Sequence, residues 1–153
     1  MNQQKGFTLI ELLIIIAIIG LLATMATTSL KNAQDKARLT RCRADFKQIL
    51  TAIDVKREQY NNVLLSVTGS GCSDCSCRPL SEASLETSAC VSRMTTTFQN
   101  LGFNGLLKDP WGHPYLIDEN EQEGGSCANH DSLCSFGSPC GCVAVPFYVC
   151  QGF

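Results

Sequence analysis

Ten cysteines are the densest chemical signal in this 153-residue chain. Cys72-x-x-Cys75-x-Cys77 and Cys140-x-Cys142 have spacings that suit a thiolate cage for zinc or an iron–sulfur cluster. With Cys42, Cys90, Cys127, Cys134 and Cys150 they also make an even set, which outside a reducing cytoplasm reads first as disulfides. Ten cysteines allow about 945 pairings, so spacing alone does not choose among them. Cys140 and Cys142 are awkward to bridge to each other and should pair elsewhere. Cys42 stands apart from the rest and, if paired, would staple a helix to the domain behind it. A dithiol redox centre at Cys72-x-x-Cys75 would need a strand–helix setting, and this one sits in a Ser/Gly-rich stretch.

The carboxylates form a second group. Asp118-Glu119-Asn120-Glu121-Gln122-Glu123-Gly124-Gly125 is followed by Asn129, Asp131 and Ser132. Acids beside glycine carbonyls suit a hard, oxygen-liganded cation such as calcium, with Asp118, Glu121 and Asp131 as the candidate ligands. The alternative is a solvated acidic loop. No catalytic set emerges: His113 and His130 are the only histidines, and neither has a nucleophile at a recognisable spacing. The chain is therefore not expected to be an enzyme.

One carboxylate is placed differently. From Phe7 to Leu30 the only charged residue is Glu11. About twenty apolar residues at ~1.5 Å each give roughly 30 Å of helix, the thickness of a bilayer's hydrocarbon core. A lone carboxylate there is costly and points to function. Three readings compete for this stretch. A secretory signal peptide would end near Thr24 to Ala26, but Glu11 falls early inside its apolar region. A plain membrane anchor leaves Glu11 unexplained. The third reading comes from resemblance.

Lys5-Gly6-Phe7-Thr8-Leu9-Ile10-Glu11 resembles the leader signature of type IV pilins and type II secretion pseudopilins. The resemblance implies cleavage by a prepilin peptidase between Gly6 and Phe7, N-methylation of Phe7, and retention of the helix. It also implies that Glu11 meets the terminal amine of a neighbouring subunit during assembly. Two charges that are each costly in lipid would then offset one another.

Four segments follow: a leader over 1–6, a membrane and filament-core helix over 7–30, an amphipathic stalk helix over 31–60, and a globular head over 61–153. The 123 residues after Leu30 suffice for one modest domain. Ala37, Ala44, Phe46, Ile49, Leu50, Ile53 and Tyr60 give the stalk its apolar stripe, and Asn61-Asn62 should end it. Many pilins carry a proline four to five turns past the glutamate; this chain has Thr28 in that neighbourhood and no proline before Pro79. Residues 31–58 hold eight basic against four acidic side chains, and residues from 74 onward three against nine. Such opposition suits packing between repeated subunits. Only Phe46 and Tyr60 offer aromatic platforms on the basic stretch, so nucleic acid is not an expected partner.

In the head, residues 61–80 read as a loop and 84–101 as a short helix. Asp109-Pro110-Trp111-Gly112 is a turn leading into a strand at Tyr115-Leu116-Ile117. Asp109 to Tyr115 also resembles the tryptophan block of major pseudopilins, with His113 in place of the usual Asn. Major pseudopilins that resemble this region bind calcium in the loop that follows. The glycine–aspartate pattern found further on in them is absent, and Cys134 to Cys140 stands in its place. Residues 142–150 suggest a strand interrupted by Pro146.

The expected fold is α+β: a long N-terminal helix packed on a small antiparallel sheet, pilin-like, with a disulfide-rich head. The expected role is a structural subunit of a type II secretion pseudopilus or type IV pilus-like filament. Its implied partners are further copies of itself, other pilin-like subunits, the peptidase and an inner-membrane assembly platform. Its implied location is the inner membrane, single-pass with the head outside the cytoplasm, and then a periplasmic or extracellular filament. The alternative is a minor, tip-located pilin whose head is a binding or adhesin module.

Overall fold

A computed structural model describes residues 7–69, 71–122 and 128–148. The expected leader, with Gly6, lies outside the described residues, as do Glu123, Cys127 and Cys150. The chain divides into two compact units, 1–37 and 38–153. The division falls inside the stretch read from sequence as the stalk.

The first unit is built on α1, a single helix running Leu9–Tyr60 that continues into the second. Thr8 starts it through a capping box: Glu11 N–H donates to Thr8 Oγ1 at 3.3 Å, while Glu11 Oε2 accepts from the Thr8 N–H at 2.9 Å. The large apolar side chains between Leu9 and Met25 are all exposed. By length and composition this part of α1 is apolar enough to cross a membrane.

In the second unit α1 buries Cys42, Phe46, Ile49, Ile53 and Arg57. Spacings of four, three, four and four residues keep them on one stripe. The stripe differs in part from the one read from sequence. Ala44 is exposed because it lies two residues, about 200°, round the helix from Cys42. Tyr60 is exposed at the helix end, with Lys56 over its ring. Asn61 stops the helix in the left-handed region (φ 48°). Its N–H donates to Glu58 O and that of Asn62 to Arg57 O, the reciprocal pair of a Schellman ending.

Residues 61–80, expected as loop, hold a short helix α2 (Leu64–Thr68) and a 3-10 turn (Asp74–Cys77). Leu64, Val67 and Cys77 are buried, and elements this short display no period in the sequence. The helix expected over 84–101 is broken into α3 (Glu82–Leu85) and α4 (Ser88–Asn100). Thr87 makes the break by capping α4, its Oγ1 accepting from the Cys90 N–H. The Thr95-Thr96-Thr97 run is tolerated because Thr95 and Thr96 return their hydroxyls to the carbonyls of Val91 and Ser92.

The sheet is a three-stranded antiparallel meander in the order β1 (Tyr115–Asp118), β2 (Ser132–Ser135), β3 (Gly141–Ala144). Leu116 pairs with Cys134, and Cys134 with Cys142. β3 stops short of Pro146, which has no N–H to donate. Phe46 meets Tyr115 with ring centroids 5.6 Å apart, and Phe98, Met94, Ile117 and Leu133 complete the core. The fold is α+β, a long N-terminal helix with a small antiparallel sheet.

Candidate functional site

Glu11 is the charged side chain of an otherwise apolar, exposed helical surface. Its Oε2 also accepts from the Thr8 hydroxyl at 2.8 Å. The lone subunit thus satisfies one carboxylate oxygen within its own first turn. Phe7, the expected new N-terminus, is 84% exposed. The surface it begins offers apolar area and one acid, which is the material of helix-to-helix association rather than of catalysis.

The cysteines of the described residues form disulfides: Cys42–Cys140, Cys72–Cys75, Cys77–Cys90 and Cys134–Cys142. Cys134 and Cys142 are direct cross-strand partners, with Cα atoms 4.1 Å apart. Cys42–Cys140 ties α1 to the chain entering β3. A Cys72, Asp74 and Cys75 grouping is the one arrangement among the described residues whose ligand atoms converge as a metal site would need. Its two sulfurs are bonded to each other and are not thiolates.

The tryptophan turn is built by Asp109. Its Oδ1 accepts from the N–H groups of Trp111 (2.9 Å) and His113 (3.0 Å), and its Oδ2 from the Ser135 hydroxyl (2.6 Å). Gly112, at φ 98°, closes the turn where a side chain would be strained. The turn is thereby fastened to β2, a structural task. His113 lines a cavity of about 250 Å³ with Leu85, Glu86, Val91 and Lys108. His130 stacks on Phe147 at 3.6 Å.

Among the described residues the carboxylate oxygens of the candidate calcium ligands do not converge on one point. Asp118 lies 3.6 Å from the Arg78 guanidinium. Glu121 is buried and accepts from the Tyr148 N–H at 2.8 and 2.9 Å, with Arg57 at 3.6 Å. Asp131 Oδ1 accepts from the N–H groups of Asn120 (2.7 Å) and Glu121 (2.6 Å). Only Asp131 Oδ2 among these oxygens is a buried atom without a hydrogen bond. Calcium needs about six to eight oxygens, and these three residues do not fit it among the described residues. Burial pushes the Asp131 carboxyl above its ordinary range, aided by Glu121 and opposed by its N–H donors and Arg57.

Two interior groups had not been singled out in the sequence. Glu119 is fully buried and accepts from the Ser73 N–H (2.7 Å) and hydroxyl (2.6 Å), so it holds the loop closed by Cys72–Cys75. Burial raises its pKa, and the Ser73 and Thr68 hydrogen bonds only partly oppose that. Arg57 is 2% exposed. Extending the stripe Cys42, Phe46, Ile49, Ile53 by four residues would have reached it.

An apolar N-terminal helix with a capped acid near its start, and a small disulfide-rich α+β head, fit a membrane-anchored class of protein. Residues 1–27 match the family model described as the prokaryotic N-terminal methylation motif. The chain is similar to a type II secretion system core protein G of Pseudomonas aeruginosa, 32% identical over 120 residues covering 74% of this chain and 72% of that one. It is similar to the protein of the same description from Escherichia coli, 24% identical over 76% of this chain and 72% of that one. A type IV major alpha-pilin of Moraxella bovis is 42% identical over 66 residues, covering 43% of this chain and 42% of the pilin. No solved structure matches. The chain belongs to the type IV pilin and pseudopilin family, whose members are structural filament subunits and not enzymes.

Proposed function

We propose that this chain is a subunit of a type II secretion pseudopilus, with a type IV pilus-like filament as the nearest variant. The observation that carries the choice is coverage. The alignments with core protein G cover about three-quarters of the chain, whereas that with the Moraxella alpha-pilin covers 43%. The tryptophan turn, fastened through Asp109 to β2, supports the same choice.

Assembly follows from the helix. A prepilin peptidase cuts after Gly6, and the amine freed at Phe7 is methylated. Glu11 then exchanges its Thr8 contacts for the amine of an adjacent copy, so that two charges neutralise as apolar helices bundle. Before assembly the chain spans the inner membrane once, with the head outside the cytoplasm. The disulfides support that side, since they persist only where thiols are not kept reduced. An inner-membrane platform and other pilin-like subunits are its assembly partners.

The four disulfides among the described residues favour a second reading, a tip-located minor pilin with a toughened binding head. Stoichiometry separates the two. Sheared filaments imaged by negative stain, with mass spectrometry of their main band, should show this chain as the principal component. A trace amount beside another pilin would favour the tip.

A further inference from the structure

Arg57 is a cation inside the head. Its Nη1 donates to the Pro146 carbonyl at 2.8 Å and lies 3.6 Å from Glu121 Oε2. Its Nη2 donates to Asp54 Oδ1 at 2.7 Å, and its guanidinium lies 5.4 Å from the Tyr148 ring centroid. Glu121, itself 1% exposed, takes the Tyr148 N–H on both oxygens. One side chain from α1 therefore meets Glu121 in the acidic stretch, and Pro146 and Tyr148 in the segment after β3.

The partners of Arg57 are two carboxylates and a backbone carbonyl. These are the oxygen types that calcium would collect. Arg57 donates to the Asp54 carboxylate and the Pro146 carbonyl, faces Glu121 as an ion pair and cannot be deprotonated, whereas among the described residues fewer oxygens converge than a metal ion would need. A second cation would also be placed against the first. We infer that Arg57 is the resident cation beside Glu121, so that this buried carboxylate is neutralised without a divalent ion. Glu121 is then a counter-charge to a buried arginine and not a metal ligand.

The test uses the full chain in detergent micelles with its disulfides intact. Thermal melts are recorded in millimolar calcium chloride and in excess EDTA, for the wild type, Arg57→Gln, Glu121→Gln and the double variant. The wild type is expected to melt at the same temperature in both solutions. Arg57→Gln should melt at least about 5 °C lower, because it strands a buried carboxylate. The double variant should recover part of that loss, since neither charge is then left alone. A wild-type melting point that falls in EDTA would overturn the inference even if Arg57→Gln failed to fold. So would single-variant losses that simply add in the double variant, or an Arg57→Gln melt equal to wild type.

Discussion

Cys42 on α1 and Cys140 before β3 are joined by a disulfide across a sequence separation of 98 residues. Both are in the second compact unit. The bond makes the distal part of the long helix a covalent part of the head.

Cross-linking so distant a pair limits the unfolded chain strongly, although the Cys77–Cys90 bond already shortens the effective loop. Replacing both ends, Cys42→Ser with Cys140→Ser, should cost about 2–4 kcal/mol. Guanidinium denaturation of the full chain in detergent measures this. The double replacement avoids a stray thiol that could scramble the other bonds.

Glu119 and Asp131 should give the head an unusual response to acid. Burial raises both carboxyls above their ordinary values of 4.5 and 3.8. A carboxyl that binds its proton more tightly when folded adds stability as the pH falls. That contribution is complete below the unfolded pKa and is lost as the pH rises through the folded one. The melting point should therefore climb as the pH falls from neutrality toward the ordinary carboxylate range. Glu119→Gln should flatten the climb; an unchanged profile would mean that Glu119 contributes none of it.

Tyr115 donates its hydroxyl to Asp45 at 2.8 Å, joining β1 to α1. Burial first, and then this bond and the Asp45 charge, drive its phenol well above the ordinary range. Tyr115→Phe keeps the ring contact with Phe46 and removes the bond, so it should cost about 1 kcal/mol. Chemical denaturation at neutral pH reads that difference.

The sequence was most legible where one physical demand repeats. The apolar run from Phe7 and the 3.6-residue stripe through Ile53 made α1 visible almost to its ends, and Asn61-Asn62 marked its stop. The Asp109-Pro110-Trp111-Gly112 turn was legible because each of its residues has a local conformational preference. β2 was not: Ser132-Leu133-Cys134-Ser135 is four residues long, and its strand character comes from neighbours on both sides. The pairing of Cys42 with Cys140 was equally hidden, since proximity in the fold leaves no mark on spacing. The partners of the acids after Asp118 were hidden for a related reason. The charge was plain, but the arginine that meets Glu121 lies 64 positions earlier on another element.

Glu11→Ala should leave membrane insertion intact and sharply reduce filament yield or order. The mutant helix keeps its apolar length and gives up only its carboxylate. Membrane fractionation beside filament counts distinguishes the two steps. Normal, well-ordered filaments would remove the proposed pairing with a neighbour's amine.

The most direct measurement is the N-terminus of the chain recovered from assembled filaments, read by mass spectrometry. The expected first residue is Phe7 carrying a methyl group, with the whole of α1 retained. A chain beginning near Thr27 would mean that the apolar helix is discarded, and Glu11 could then take no part in assembly.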